Sequence, residues 1–306
     1  MARKDHIDLI GTASLVGFSL MLGFNQVVIK VVNDGLQPLF FAGVRSIGAA
    51  LCVWLWFRLR GQRLLLDKGT AKAGILVGTL FSAEFIFLFL ALDLTTVIRT
   101  SVLFYSMPIW LALAAHFLLP GERITAVKML GFLLAFMGVV WAIIDRGDTA
   151  GQASLAGDLC ALFGALCWAG IALSVRRTAI SRVRPEIQLF WQLVVSIPLL
   201  SLAALVFGPP FVREFELVHL WGLVLQIGIA SAGFGFWFWL LAIYPSSGVA
   251  SFSFLSPLFG IIFGWWLLGE AIAPSLAGAA LLVMLGLVLI NWPRQVGGST
   301  ISTKPG

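Results

Sequence analysis

Ten apolar stretches follow one another along the chain with short polar breaks between them: residues 9–31, 36–57, 72–93, 96–118, 124–144, 155–176, 187–207, 218–241, 247–268 and 275–292. A helix that crosses a bilayer core needs about 20 apolar residues. Backbone groups left unpaired in lipid are costly, so each stretch predicts a membrane-spanning α-helix, numbered here as spans 1 to 10. The alternating pattern of a membrane β-barrel is absent.

The pattern occurs twice. Residues 87–108 read FLFLALDLTTVIRTSVLFYSMP and residues 236–257 read FWFWLLAIYPSSGVASFSFLSP. Each stretch holds an apolar helix end, a polar break, a second apolar run and a closing proline, Pro108 or Pro257. Each proline leads to a Gly-Glu pair, Gly121-Glu122 or Gly269-Glu270, and one last apolar run. Five spans per half is an odd number, so the second half enters the bilayer from the opposite side. The expected fold class is therefore all-α integral membrane, with ten transmembrane helices as two inverted five-helix repeats. Residues 1–148 form the first repeat (spans 1–5), residues 149–294 the second (spans 6–10), and residues 295–306 a disordered cytoplasmic tail without apolar periodicity. Inverted repeats of this kind accompany alternating access.

Composition agrees with the periodicity. Hydrophobic residues make up 60% of the chain and charged ones 11%, with a mean hydropathy of +1.00. Soluble domains carry roughly 25% charged residues. The net charge of +6 would suit nucleic acid, but the placement of the basic residues does not. With the N-terminus inside, fifteen of the twenty Lys and Arg residues fall on inner segments, and only Arg146 and Arg213 on outer ones. Such an excess sets orientation, so both termini are expected in the cytoplasm. The basic 58–72 loop, with its apolar centre at Leu64–Leu66, is expected along the inner membrane face. Cys52, Cys160 and Cys167 lie inside spans without metal-ligand spacing, so neither a disulfide framework nor a metal site is expected. The basic start leads into an apolar run too long for a signal-peptide core, so it reads as an uncleaved first span.

GFNQVVIK in span 1, Pro38-Leu-Phe-Phe-Ala-Gly-Val-Arg45 in span 2, the proline and Gly-Glu ends of spans 4 and 9, and GDLCALFGALCWAG at 157–170 together resemble the drug/metabolite transporter superfamily, in its EamA-type ten-helix branch. Within that branch the chain looks most like the bacterial aromatic amino acid exporters. The resemblance implies a basket of helices around a central cavity lined by spans 1–4 and 6–9, with spans 5 and 10 peripheral. It covers nearly the whole chain.

Ionisable groups inside the bilayer are candidates for function. Glu84 lies ~15 Å, and Arg45 ~12 Å, from the outer ends of their spans at 1.5 Å per residue. Similar depth and opposite charge suggest an Arg45–Glu84 pair. Two readings stay open: a structural ion pair, or Glu84 as a site for a substrate ammonium or a proton. Lys30 and Arg99 lie nearer the outer boundary and read as snorkelling rim residues, with Asp34 or Asp93 as gate partners. Asn25, Gln26, Gln192 and Gln226 are hydrogen-bonding groups at depth. Twelve Trp and 25 Phe against two Tyr suggest rings that stack on flat apolar or cationic solutes. Trp168 stands near the middle of span 6 beside Ala165 and Ala169, and Tyr105 three residues before Pro108. The expected substrate-binding set is Asn25, Ser82, Glu84, Tyr105, Trp168, Trp237, Ser251 and Ser253, with Arg45, Pro108 and Pro257 as structural or gating residues. Pro108 and Pro257 should bend spans 4 and 9. The GxxxG pairs Gly74/Gly78 and Gly260/Gly264 should give close helix packing.

The expected function is export of small amphipathic metabolites, aromatic and other amino acids foremost, by rocking one half against the other. The alternative is an organic-cation/proton antiporter using Glu84. Sugar-phosphate exchange is disfavoured because the second half has no Lys or Arg deep within a span. An enzyme is not expected, since His6, His116 and His219 form no catalytic arrangement. No cofactor, nucleic acid or obligate protein partner is expected; the partners are a small-molecule substrate and the lipid bilayer. The expected location is a bacterial cytoplasmic (inner) membrane.

Overall fold

The computed structural model describes residues 7–62, 66–119, 125–145, 153–244, 252 and 255–290. Among these, eight helices are long and apolar enough to cross a membrane, and two shorter apolar helices follow. Span 1 is Leu9–Gly35, span 2 Pro38–Leu59, span 3 Ala71–Leu94, span 5 Ala126–Ile144, span 6 Leu155–Arg177 and span 7 Pro185–Phe207. The two shorter helices are span 9, Leu255–Leu268, and span 10, Pro274–Ile290. Local chemistry sets several starts: the Asp8 carboxylate accepts from the Gly11 amide at 2.8 Å, and Pro38 and Pro185 occupy first-turn positions that need no donor.

Spans 4 and 8 are broken. Span 4 runs Val97–Phe104 and then Met107–Leu118. Pro108 has no amide hydrogen to donate to the carbonyl four residues back, that of Phe104, and the first piece ends at that residue. The bend expected at Pro108 is present, and Ser106 Oγ turns back to the Leu103 carbonyl at 2.6 Å. Span 8 runs Leu217–Gly228, widens into a π-turn at Ile229–Gly233 and resumes as Phe234–Ile243. Pro257, expected as a bend inside span 9, stands in the first turn of the described helix, where proline removes no hydrogen bond.

Span 5 packs on span 10, span 2 on spans 7 and 8, span 3 on spans 6 and 7, span 1 on spans 8 and 9, and span 4 on spans 6 and 9. Every one of these contacts joins a helix of the first half to one of the second. Glycines permit the closest approaches. A Cβ at Gly23 would stand 2.7 Å from the Gly260 amide nitrogen and 2.8 Å from the Phe259 carbonyl carbon, so span 1 crosses span 9 backbone to backbone. The Gly74/Gly78 pair receives Trp191 and Val195 of span 7, and Gly260/Gly264 receives Ser101 and Ile98 of span 4. Both motifs therefore serve packing within the chain. Leu51, Trp54, Leu55, Phe136, Met137, Trp265 and Trp266 are exposed on the outside of the bundle, as a lipid-facing surface requires. Residues 295–306 and 63–65, with the Gly121-Glu122 pair, lie outside the described residues.

Candidate functional site

The central core holds a group of aromatic rings among aliphatic side chains. Phe81, Phe85 and Phe89 run along span 3, and Phe104 and Tyr105 end the first piece of span 4. Trp168 packs onto the same cluster from span 6, its ring stacked on Phe104 at 5.2 Å and edge-on to Tyr105 at 6.1 Å. Tyr105 donates its hydroxyl to the Leu22 carbonyl of span 1 at 3.1 Å, which ties the break in span 4 to a neighbouring helix.

Arg45 and Glu84 enter this cluster from spans 2 and 3. Arg45 is 2% exposed and Glu84 7%. Each lies within electrostatic reach of the other. The direct pair expected from the sequence is nevertheless absent: among the described residues neither forms a side-chain hydrogen bond or ion pair. The Arg45 guanidinium lies instead over the Phe85 ring, 3.8 Å from its centroid, with Phe89 at 5.2 Å. Its Nε and Nη2 are buried and have no acceptor. Aromatic faces attract a cation through the ring quadrupole, which explains why the guanidinium settles there.

Other predicted residues are placed differently. Ser82 turns its hydroxyl to the Gly78 carbonyl of its own helix at 2.7 Å. Asn25 accepts from Gln226 Nε2 at 2.8 Å, joining spans 1 and 8, and Gln26 accepts from Ser101 at 2.7 Å, joining spans 1 and 4. Trp237 stands apart from the central aromatics: it stacks on Phe18 at 4.8 Å, in a separate cluster with Leu15, Leu240 and Tyr244. Ser251 and Ser253 lie outside the described residues.

The helix ends around Lys30, Asp93 and Arg99 carry a polar layer that the sequence disclosed only in part. Arg99 was expected at the rim but is 1% exposed, and it grips Asp158 of span 6 by Nε at 2.9 Å and Nη2 at 2.6 Å. Nη2 also donates to the Ala142 carbonyl of span 5, and Thr95 donates to Asp158 at 3.1 Å. Lys30 donates to the Leu92 and Thr95 carbonyls at 3.0 and 2.8 Å, closing the C-terminal end of span 3. Asp93 is paired with Arg213, at 2.8 Å, rather than with Lys30 or Arg99. Arg213 also holds the Asn33 carbonyl, and the loop around it meets the end of span 1 through the Gln37–Phe211 and Arg213–Gly35 backbone bonds. Glu270, in the loop between spans 9 and 10, accepts from the Val97 and Ile98 amides at 2.7 and 2.9 Å and so caps span 4. Burial pushes its carboxyl above the ordinary value, against the pull of those two amides and of Lys30. The Gly-Glu motif was visible in the sequence; its capping role needs span 4 to lie beside span 9, which no local pattern states.

Known proteins match this architecture. A solved crystal structure superposes with a TM-score of 0.63 over 91% of this chain and 97% of its own, at 21% identity, which speaks to the fold alone. A Bacillus subtilis protein described as the uncharacterized transporter YoaV is 26% identical over 90% of this chain and 94% of its own. A Salmonella typhimurium protein described as a "probable amino-acid metabolite efflux pump" is 26% identical over 94% of this chain and 95% of its own. An Escherichia coli protein of the same description is 26% identical over 97% and 99%. The EamA-like transporter family matches twice, at residues 9–144 and 155–292, so the chain belongs to the EamA-like transporter family, as a multi-pass membrane protein.

Proposed function

We propose that this transporter exports small amphipathic metabolites, aromatic amino acids foremost, across a bacterial cytoplasmic membrane with both termini inside. The observation that carries the reading is the pair of buried, mutually unbonded charges, Arg45 and Glu84, set among stacked aromatic rings at the centre of the bundle. The rings suit an aromatic side chain and the charges a polar head. The amino-acid efflux description of the Salmonella and Escherichia relatives supports the same class.

Residues 1–148 and 149–294 are taken as inverted repeats. Exchanging each span with the one five places on reproduces the set of packing pairs, which supports that symmetry. The most extensive helix contacts cross between the halves, so the moving bodies are composites of both rather than one half rocking as a block. The breaks in spans 4 and 8 are the natural hinges.

A second reading, organic-cation/proton antiport, is favoured by one observation: the buried Glu84 makes no side-chain hydrogen bond among the described residues. Uptake of labelled phenylalanine, tryptophan, threonine and methyl viologen into proteoliposomes, with and without a proton gradient, separates the two. Movement of the aromatic amino acids supports export as proposed. Gradient-dependent movement of methyl viologen alone would replace it with antiport.

A further inference from the structure

Two arginines are buried to the same degree, and they present the same edge in different company. Arg99 uses Nε and Nη2 together to hold both oxygens of the Asp158 carboxylate. In Arg45 those same two nitrogens are buried and reach no acceptor. Buried donors are ordinarily satisfied, and each exception calls for an explanation. At membrane depth an ionised group is costly, so a guanidinium kept there without a carboxylate partner is poorly explained by stability. Phe85 covers one face of the Arg45 guanidinium and leaves the Nε–Nη2 edge uncommitted. That edge is the one that takes a carboxylate through two parallel hydrogen bonds.

We infer that Arg45 binds the carboxylate of the transported molecule while Glu84 takes its ammonium, so that the site recognises the zwitterionic head of an α-amino acid. The inference rests on the amino-acid reading above and deepens it. A zwitterion carries its two charges on neighbouring groups and has no net charge. It therefore satisfies Arg45 and Glu84 at once and leaves the buried site neutral. An organic cation would leave Arg45 unmatched, and a carboxylate without an amine would leave Glu84 unmatched. A phosphate would add more negative charge than Arg45 alone answers. The side chain of the substrate then meets Phe104, Tyr105 and Trp168, which belong to the same aromatic cluster as Phe85.

The test compares labelled phenylalanine with phenethylamine, which lacks the carboxylate, and with 3-phenylpropionate, which lacks the amine. All three are offered to the full-length wild-type chain in proteoliposomes, and again to Arg45→Gln, Arg45→Lys and Glu84→Gln. Wild type is expected to move phenylalanine at least about 10-fold more efficiently than either analogue, the factor for losing one charge-assisted hydrogen-bonded group. Arg45→Gln should lose phenylalanine transport by about the same factor and with it the preference over phenethylamine. Arg45→Lys, a point charge without the two-pronged edge, should fall between. Glu84→Gln should lose the preference over 3-phenylpropionate. Equal movement of phenylalanine and phenethylamine by wild type would overturn the inference while leaving amino-acid export standing. Transport of none of the amino acids would overturn both. The wild-type comparison needs no variant, so misfolding of an Arg45 mutant does not decide the outcome.

Discussion

Arg45 and Arg99 share charge and burial, and differ in what their guanidinium groups meet. Arg99 is locked to Asp158 and to the Ala142 carbonyl, with both partners of the ion pair almost wholly enclosed. Removing one partner of a buried pair strands the other, at a cost of ~3–5 kcal/mol. Arg99→Gln is therefore expected to lower the melting temperature in detergent sharply, and Asp158→Asn to do the same; a double Arg99→Leu/Asp158→Leu chain should recover much of the loss. Arg45→Gln should cost less stability, since only a cation–π contact of ~0.5–2 kcal/mol is given up. Comparable melting temperatures for Arg99→Gln and wild type would remove Arg99 from its structural role. Sequence reading identified Arg45 and Glu84 as the deep charges but placed Arg99 at the rim, because distance from the end of a span does not reveal a partner 59 residues away. Asp158 opens span 6 and reads locally as an ordinary first-turn acid.

Helices were legible in the sequence because ten apolar runs must be helical in lipid; their interruptions were only half so. The break in span 4 follows from Pro108, whose missing donor releases the Phe104 carbonyl. The π-turn at Ile229–Gly233 has no proline to announce it, and Ser231 turns its hydroxyl to the Ile227 carbonyl at 2.7 Å inside that segment. The Gly-rich spacing predicted close packing, while the partner helices became visible only in the assembled bundle. Gly23→Ala should cost ~1–3 kcal/mol, since the new methyl meets backbone atoms of span 9 that cannot turn aside. Gly17→Ala, six residues earlier on the same helix with open space around it, is the control and should leave thermal stability unchanged or slightly raised. Equal melting temperatures for the two variants would refute the close crossing of spans 1 and 9.

For the molecule as a whole, the packing order shows two halves that interlock, with spans 5 and 10 paired at the side. That side pair is what the family resemblance implied, and the most extensive helix contacts, which cross between the halves, favour composite moving bodies over one half rocking as a block. One end of the bundle is held by Arg213, which reaches Asp93 and the Asn33 carbonyl from the loop after span 7. Half-exposed pairs of this kind contribute ~0–1 kcal/mol, so Arg213→Ala should barely change the melting temperature. It should still loosen the seal at that end: a cysteine placed at Leu36, in a chain with its three native cysteines replaced, is expected to label several-fold faster with a water-soluble thiol reagent when Arg213 is alanine. Unchanged labelling would separate this contact from gating. The central claim is that transport runs through the aromatic cluster around Arg45 and Glu84, and it is tested most directly by phenylalanine uptake into proteoliposomes bearing wild type, Trp168→Ala or Trp237→Ala. Trp168 belongs to the central cluster and Trp237 stacks on Phe18 outside it. Loss of a stacking contact of ~0.5–2 kcal/mol predicts a 2- to 30-fold fall in uptake efficiency for Trp168→Ala, at about 1.4 kcal/mol per factor of ten, with Trp237→Ala close to wild type. Full uptake by Trp168→Ala, or an equal fall in both variants, would contradict the account.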